Sequence, residues 1–332
     1  MNDPPPRNLL TDIPGITVGH AQDLHLGSGV TAILFDPPAV ASVAVLGGAP
    51  GGRDTDLLAP HNTVQAVDAI VLSGGSAFGL DAAGGVQAWL REHDRGFAIG
   101  TVRVPIVPQA ILFDLNNAGN KAWGRFSPYR DMGYAAADAA AADFGLGSVG
   151  AGTGATTATV KGGLGSASAV TEDGHTVAAI MAVNALGSVT IGDGPHFWAA
   201  PFERGAEFGG RGWPQSFDTS LRLKRRRTTG TTIGLVVTDA ALTKPQAMRM
   251  ALMAHDGLAR AVLPAHAPLD GDTIFAAATG ARRMPDAAGL TALGHLAALV
   301  VARAIARGVH EATALPGPDA QPSWRDRFAT ST

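Results

Sequence analysis

Two short segments of the sequence carry residue types suited to amide hydrolysis. Thr231 follows Gly230 at the start of the apolar segment TTIGLVV, and Asp270 and Asp272 flank a glycine before the apolar segment TIFAAA. A threonine hydroxyl attacks a carbonyl only when a base takes its proton, and one such base is the residue's own α-amine, freed by cutting the preceding bond. An α-amine titrates at about 7.7–8.0 and so accepts a proton near neutral pH. Gly230 tolerates unusual backbone angles, which would let the Thr231 hydroxyl reach the preceding carbonyl.

The two carboxylates are spaced to act together. Residues i and i+2 of a strand point to the same face, so Asp270 and Asp272 are expected to hold the hydroxyl and the ammonium of Thr231 in line. An Asp-Gly-Asp turn that only caps a strand has the same pattern, and both interpretations stay open. Thr232 is a chemically identical competitor, although strand alternation would point its side chain to the opposite face.

Two glycine-rich segments resemble other catalytic motifs. The segment 150–155, GAGTGA, is similar to a dinucleotide phosphate loop, but β-branched residues and more glycines follow where that motif needs a helix. A dinucleotide-dependent oxidoreductase is therefore one alternative function. Ser76, in GGSAFG, occupies the place of a hydrolase nucleophile between a strand and a helix, but Phe78 stands where that motif requires glycine. Ser76 is predicted to cap the helix instead.

Composition excludes several classes of site. The chain has no cysteine, which rules out disulfides, thiol nucleophiles and cysteine-bound metals. Its ten histidines form no short-spaced cluster, so no metal site is predicted, and no cofactor is expected. The net charge of −3 gives no general attraction for nucleic acid. One basic segment, 211–230, is predicted as a solvated loop, and no aromatic residue is interleaved with its basic cluster as a nucleic-acid site would require. Its basic cluster comprises Arg222, Lys224, Arg225, Arg226 and Arg227.

The elements that must position these residues alternate between strands and helices. Short β-branched segments predict strands at 29–35, 42–46, 67–72, 177–183, 188–191, 231–237 and 273–277. Helices are predicted at 76–92, at 132–143, from 244 to before Pro264, and at 286–307 with Gly308 as the stop. This alternation favours a layered α/β fold. No apolar run reaches the roughly 20 residues of a membrane span, the start does not resemble a secretory signal, and a cytoplasmic protein is expected. The segment 309–332 is predicted as a loosely ordered tail.

The motifs along the chain, taken together, resemble one known family. They are DIPGITVGHAQD, VLSGGSAFGLDAAGGV, GAGTGATTATVKGGLGSAS, AVNALG, TTIGLVVTDA and DGDTIFAAATG, in this order. In this order they resemble the self-processing L-aminopeptidase/D-esterase peptidases, which include β-peptidyl aminopeptidases and the nylon-oligomer (aminohexanoate-oligomer) endohydrolases.

The resemblance implies one αββα sandwich over residues 1–332, similar to N-terminal-nucleophile hydrolases. It implies that the chain cuts itself before Thr231 into pieces 1–230 and 231–332, which assemble as a homotetramer. Asn184 in AVNALG matches the family's oxyanion-stabilising asparagine, and Lys161 in VKGG matches a lysine near the nucleophile in the nylon-oligomer branch. Asp270 and Asp272 match the carboxylate pair of that branch, where aminopeptidase members have serine and glutamate.

The sequence departs from the aminopeptidase pattern in the segment PIVPQAILFD. Gln109 and Ile111 stand where aminopeptidases carry a glutamate for the substrate ammonium and a tyrosine for the oxyanion. A neutral amide holds an ammonium less strongly than a carboxylate does, so endo-type cleavage of amide oligomers or small amides is favoured. Tyr129 is either a substitute hydroxyl in the substrate pocket or an exposed turn residue, and Ser76 is a further pocket candidate. The alternatives are an aminopeptidase/D-esterase for free N-termini or β-peptides, and a binding protein without catalysis.

Overall fold

The computed structural model describes residues 7–224, 229–283 and 286–329. The strands are β1 (Ile16–Asp23), β2 (Ser28–Val45), β3 (Gly52–Arg53), β4 (Ala66–Ser73), β5 (Phe97–Ile99), β6 (Val102–Val104), β7 (Gln109–Ile111), β8 (Gly163–Val170), β9 (Thr176–Asn184), β10 (Thr231–Ala240) and β11 (Thr273–Arg282). The α-helices are α1 (Ala82–Glu92), α2 (Tyr129–Asp138), α3 (Lys244–Ala261), α4 (Ala287–His310) and α5 (Trp324–Phe328).

Strand β2 connects the two halves of one nine-stranded hydrogen-bonded path, and these halves pack face to face as the two sheets of the fold. Its first half pairs with β1 and β4, and its second half pairs with β11. The β2–β4 register shifts between Leu34 and Ala39, around Pro37 and Pro38, because proline has no N–H to donate to the ladder. The hydrogen-bonded order is β3-β7-β4-β2-β11-β10-β9-β8, with β1 on β2. Strand β10 is therefore an interior strand, antiparallel to β9 and parallel to β11.

Alternate residues of the strands enter different hydrophobic clusters. Ile233 and Leu235 of β10 lie in the cluster between the two sheets. Val236 and Ala240, with the opposite parity, pack among residues of α3 and α4. A third cluster joins β2 and β4 to α1 and α2. The layers are thus helix, sheet, sheet and helix, which confirms the predicted αββα sandwich.

Several predicted elements differ from those observed. The predicted strands 29–35 and 42–46 form the single strand β2. The predicted strand 188–191 is not a strand, because Ser188 and Thr190 make only isolated bridges. Ser76 has a positive φ of 52° and starts a short 3-10 helix, with no side-chain cap, so its predicted capping role is wrong. Helix α2 begins at Tyr129, earlier than predicted.

Helix α4 packs unusually close to β8. A Cβ atom on Gly308 would lie 2.7 Å from the Gly165 nitrogen, and one on Gly165 would lie 1.9 Å from the Ala304 oxygen. Gly308 is therefore required by this close contact and is not the predicted helix stop, since α4 continues to His310. The helix has the length and apolar composition of a membrane span, but 67% of that window is buried inside the protein. It is a core helix of the sandwich.

The end of the chain is also packed. Trp324 is buried, and its Nε1 donates a hydrogen bond of 3.0 Å to the carbonyl oxygen of Pro195. Its ring stacks on Phe197. The prediction of a loosely ordered tail is therefore wrong for this part of the segment.

Candidate active site

Thr231 is the first residue of β10 and faces the space between the two sheets. It has the same parity as Ile233 and Leu235, it lies opposite Asn184 of β9, and it is buried. Its hydroxyl donates a short hydrogen bond to the carbonyl oxygen of Gly230. Thr232 has the opposite parity and faces the helical layer, and its hydroxyl has no hydrogen-bond partner in the described part of the chain.

Position 230 has no room for a side chain, so only glycine fits there. A Cβ atom there would lie 2.1 Å from the Leu186 nitrogen and 2.2 Å from Asp270 Oδ1. Its φ is not among the positive values, so the expected unusual backbone angle is not observed in the intact chain. The Gly230 carbonyl oxygen also accepts a hydrogen bond of 3.2 Å from the Gly271 N–H. The carbonyl next to the Thr231 hydroxyl is therefore already polarised by a donor.

Asp270 and Asp272 lie just before β11, on either side of Gly271. Asp270 accepts from the N–H groups of Leu186 at 3.1 Å and Ala267 at 3.3 Å. Burial, and then the charge of Asp272, raise the pKa of Asp270 to about 6. In the intact chain Asp270 thus binds backbone donors and not the Thr231 hydroxyl, contrary to the expected arrangement.

Asp272 is held from three directions. Its Oδ1 accepts from the Thr232 N–H at 2.8 Å, and its Oδ2 lies 2.9 Å from both the backbone N and the Nδ1 of His266. Asp272 therefore fixes the backbone immediately after Thr231. His266 was not among the predicted site residues, because nothing in the pattern of scattered histidines separates it from the others.

Asn184 is fully buried, and its contacts fix the orientation of its amide. Its Oδ1 accepts from the Thr156 N–H at 3.0 Å and from Lys224 Nζ at 2.8 Å, while its Nδ2 donates to the Phe113 carbonyl oxygen at 2.9 Å. If the amide oxygen and nitrogen were exchanged, the NH₂ group would face two donors and the oxygen would face a carbonyl oxygen, so the orientation is unambiguous. Among the described residues, Phe113 supplies the one acceptor recorded for Nδ2, which leaves its second hydrogen for a further acceptor.

Two buried lysines border the site. Lys161 Nζ donates to the carbonyl oxygens of Gly152 and Gly162, each at 3.0 Å. Burial lowers the pKa of Lys161 to about 7. Burial likewise lowers the pKa of Lys224 to about 7, against the attraction of Asp270. The prediction of a solvated loop is therefore wrong for Lys224; Arg225, Arg226 and Arg227 lie outside the described residues.

A buried carboxylate that the sequence analysis missed lies beside the two lysines. Asp114 accepts from the Ser28 hydroxyl at 2.6 Å and from the Gly75 N–H at 2.8 Å, and burial raises its pKa. A Cβ on Gly74 or Gly154 would lie 2.2 Å or 2.4 Å from Asp114 Oδ2. The two glycine-rich motifs therefore make room for this carboxylate, which explains the GAGTGA segment without a cofactor. Asp114 is the last residue of the segment PIVPQAILFD, and its position there was the only feature of the sequence that could have identified it as a site residue.

The four predicted pocket residues, Gln109, Ile111, Tyr129 and Ser76, have surroundings that differ from those expected. Gln109 is fully buried; its Oε1 accepts from the Ala83 N–H at 3.0 Å, and its Nε2 donates to the Gly79 oxygen at 2.6 Å. Ile111 is buried in β7. Tyr129 is fully buried, not exposed, and its hydroxyl donates to Ser28 Oγ at 3.0 Å.

Ser76 is half-buried, and its backbone N–H donates to the Leu112 carbonyl oxygen at 3.0 Å. It therefore lies near the Asp114 end of the site, since the preceding Gly75 binds that carboxylate. Its place does not bring it to the Thr231 hydroxyl, whose recorded partner is Gly230.

Two cavities meet at the site. One of about 720 Å³ opens to the surface between the segments 156–159, 221–224 and 319–327. The other, of about 30 Å³, is lined by Asp114 and Thr229 among others. Thr156 and Lys224 line both, so the two cavities adjoin at these residues. In the described ranges no group of three or more His, Asp and Glu residues is arranged to hold a metal ion.

Comparisons with known proteins agree with this arrangement. Residues 8–323 match the model of Peptidase family S58. An uncharacterised aminopeptidase of Mycobacterium bovis (strain ATCC BAA-935 / AF2122/97) is 44% identical over 97% of this chain and 98% of its own length. A 6-aminohexanoate-oligomer endohydrolase of Paenarthrobacter ureafaciens is 28% identical over 88% of this chain and 83% of its own length.

The fold also matches a solved structure. The L-aminopeptidase D-Ala-esterase/amidase of Ochrobactrum anthropi, described as a variant of the Ntn hydrolase fold, aligns with a TM-score of 0.75 over 98% of this chain and 93% of that chain, at 20% identity. The predicted family resemblance and the predicted N-terminal-nucleophile-like fold are thus confirmed. The chain is a hydrolase with peptidase/amidase function, and it belongs to Peptidase family S58.

Proposed function

We propose that this hydrolase activates itself by cutting the Gly230–Thr231 bond and then cleaves amides through an acyl intermediate on Thr231. The observation that carries the proposal is the contact between the Thr231 hydroxyl and the Gly230 carbonyl, whose oxygen also accepts from Gly271 N–H. A nucleophile, a scissile carbonyl and a donor for the oxyanion are therefore already assembled in the uncut chain.

The self-cleavage step follows from these contacts. Thr231 Oγ1 attacks the Gly230 carbonyl carbon, and the negative charge that develops on the oxygen is stabilised by Gly271 N–H. One such donor contributes about 3 kcal/mol in comparable transition states. The C–N bond then breaks, the hydroxyl proton passes to the leaving nitrogen, and an ester joins Gly230 to Thr231 Oγ1. Water hydrolyses this ester, leaving a carboxyl group on Gly230 and a free amine and hydroxyl on Thr231.

Turnover repeats this chemistry on a substrate. The Thr231 amine accepts the proton from its own hydroxyl as Oγ1 attacks the substrate carbonyl. The remaining Nδ2 hydrogen of Asn184, across the β9–β10 pair, is placed to donate to the oxyanion. The amine then passes the proton to the leaving nitrogen, and water releases the acyl group from Thr231.

Mass spectrometry of the purified chain tests this proposal directly. The uncut chain has a mass of 33.7 kDa. The proposal requires two chains that end at Gly230 and begin at Thr231, and sequencing the new N-terminus distinguishes Thr231 from Thr232. One intact chain after long incubation at neutral pH would contradict it.

The substrate class follows from the state of Gln109. Gln109 is fully buried, and both polar groups of its neutral amide already have backbone partners, so it holds a substrate ammonium far less well than an accessible carboxylate would. We therefore propose endo-type cleavage of small amides or amide oligomers. In a panel of matched substrates, N-acetylated amides are expected to be hydrolysed at least as fast as the same amides with a free amine.

A second candidate function is that of an aminopeptidase. It is favoured by the aminopeptidase name of the mycobacterial relative, which is 44% identical. The same panel separates the two, because an aminopeptidase would cleave only the substrates with a free amine.

Lys161 is expected to set the acid limb of the activity profile. Its ammonium faces the same buried site, and a nearby like charge lowers the pKa of the Thr231 amine. Because burial lowers the pKa of Lys161 to about 7, this repulsion acts mainly below that pH. Lys161→Met should therefore shift the acid limb to higher pH, by up to about one unit. The measurement is kcat/KM against pH, with circular dichroism at each pH to confirm folding; an unshifted limb would remove this role.

We also propose that copies of the chain associate through the β5–β6 hairpin. Phe97 pairs with Val104 and Ile99 with Val102, so these four exposed apolar side chains share one face. Such a face favours contact with a second copy in the proposed homotetramer. Ile99→Lys should lower the assembly mass measured by light scattering, whereas Ala98→Lys, on the opposite face, should not.

The proposed compartment is the cytoplasm, which cell fractionation tests.

A further inference from the structure

Lys224 is the only lysine or arginine of the described part of the basic segment 211–230 that reaches the buried site. It is 9% exposed, although its neighbours Leu221 and Leu223 are 72% and 42% exposed. Arg222 lies on the surface and pairs with Asp218 at 2.6 Å and with Asp193 at 3.1 Å. Among the described cations of the segment, Lys224 is therefore the one that attaches it to the buried site.

The contacts of Lys224 lie directly beside the proposed cleavage point. Its Nζ donates to the backbone and side-chain oxygens of Asn184, each at 2.8 Å, and its backbone N–H donates to the Leu186 oxygen at 3.0 Å. Asn184 is the β9 partner of Thr231, and the Leu186 N–H binds Asp270. Lys224 and Asp270 thus hold the same short stretch of chain after β9.

The charges of the site change when the bond is cut. In the uncut chain the nitrogen of Thr231 is a neutral amide, and Lys224 is the cation whose charge opposes that of Asp270. After the cut, the amine of Thr231 becomes a second cation beside Asp270. Like charges in one buried site repel each other, so the new amine weakens the hold of the site on the Lys224 ammonium, which Asp270 attracts without a direct ion pair.

The two cations differ in how they are attached. Thr231 starts an interior strand that is paired on both edges, so its amine stays in place. Lys224 precedes the cut by six residues and becomes part of a new chain end, which Leu221 and Leu223 do little to anchor. The cation that leaves is therefore Lys224.

We propose that Lys224 is a positioning residue for self-cleavage only, supplying in the uncut chain the positive charge that the Thr231 amine supplies afterwards, and leaving the site once the bond is cut. The proposal rests on the proposed self-cleavage. Before the cut, the Lys224 charge offsets that of Asp270 beside the oxyanion that develops on Gly230. After the cut, its departure widens the opening between the two cavities, because Lys224 lines both of them.

Competitive acetylation with acetic anhydride tests the departure. The chain has few lysines to follow: Lys121, Lys161, Lys224 and Lys244. Between the uncut Thr231→Ala chain and the cut wild-type protein, we expect the acetylation rate of Lys224 to rise about tenfold or more, because a buried amine reacts only through opening of the structure. Lys244 is the internal control, since it is buried elsewhere against three carbonyl oxygens and should react equally in both.

A kinetic experiment tests the restriction to one step. Lys224→Met should slow self-cleavage about tenfold or more, as expected for loss of one well-placed charge, and Lys224→Arg should restore part of the rate. Once fully cut, Lys224→Met should lose a much smaller fraction of kcat than of the self-cleavage rate, because Lys224 has left Asn184 by then. A cut protein whose Lys224 remains protected, or a cut Lys224→Met enzyme with a proportionate loss of kcat, would overturn the inference. An intact wild-type mass would instead overturn the proposed self-cleavage, so the two failures are distinguishable.

Discussion

Thr231→Ala is expected to remain a single intact chain and to hydrolyse no amide. The substitution removes the hydroxyl that contacts the Gly230 carbonyl, and no other described hydroxyl has this contact. Loss of a catalytic nucleophile lowers kcat by about 10⁴-fold or more in comparable hydrolases. The measurements are intact mass over time and turnover of a sensitive amide substrate. Thr231→Ser should keep both reactions, because it retains the hydroxyl.

Thr232→Val is the matched control for Thr231→Ala. The Thr232 hydroxyl is buried without a partner, so its replacement by a methyl group of similar size should cost little stability. Its backbone N–H still binds Asp272 in the variant. We therefore expect normal cleavage and turnover. Cleavage by Thr231→Ala together with an uncut Thr232→Val would assign the nucleophile to Thr232.

Asp270→Asn is expected to slow self-cleavage and turnover by about 100-fold or more, the scale of losing a preorganised charged group in an active site. Both oxygens of Asp270 accept from backbone N–H groups, so an amide nitrogen in either position would face another donor. The variant also loses the charge that would hold the new Thr231 ammonium. Cleavage rate from intact mass, and kcat/KM of the fully cut protein, measure the two effects.

The pH dependence of self-cleavage identifies Asp270 further. Burial and Asp272 raise the pKa of Asp270 to about 6, so its carboxylate form predominates only above that pH. Wild-type self-cleavage should therefore rise with pH through about 6, and Asp270→Asn should lose this limb.

Asp68→Asn is the matched control for the loss of a buried carboxylate. Asp68 lies on β4 and accepts from the Ile106 N–H at 2.8 Å, away from Thr231. It should affect stability only. Equal loss of cleavage in both variants would indicate that Asp270 acts through folding alone.

The family followed from the resemblance of the ordered motifs, whereas the layered α/β fold and the place of Thr231 at the start of a strand followed from local pattern. Alternation in TTIGLVV predicts a strand whose odd-numbered residues share a face, and the structure places Ile233 and Leu235 between the sheets on that face. The glycines were harder to interpret, because the sequence alone does not say whether a glycine is needed for close packing or for its backbone conformation. Gly308 was predicted to end a helix, whereas it permits close packing of α4 on β8.

The residues that were missed depend on contacts across the chain. Lys224 lies in the most basic segment of the sequence, where solvent exposure is the ordinary expectation, and its burial depends on acceptors on Asn184, 40 residues away. Asp114 lies 86 residues from its partner Ser28. The strand predicted at 188–191 failed because Ser188 and Thr190 form only isolated bridges, to Leu263 and Phe197, and no continuous ladder. No local periodicity contains such information.

The interior position of β10 also sets the order of folding and the proposed self-cleavage. The Gly230–Thr231 bond lies beside Gly271 and Asp270 only when β10 lies between β9 and β11, so the chain must fold before the proposed cut. Afterwards the shorter piece still supplies two central strands and α3 and α4, and it separates only by global unfolding. Refolding of the uncut chain is unimolecular, whereas reassembly of separated pieces is bimolecular and depends on their concentration. The proposed cut would thus give a complex of two chains that dilution after denaturation should not easily restore, whereas the uncut chain has no partner to find again.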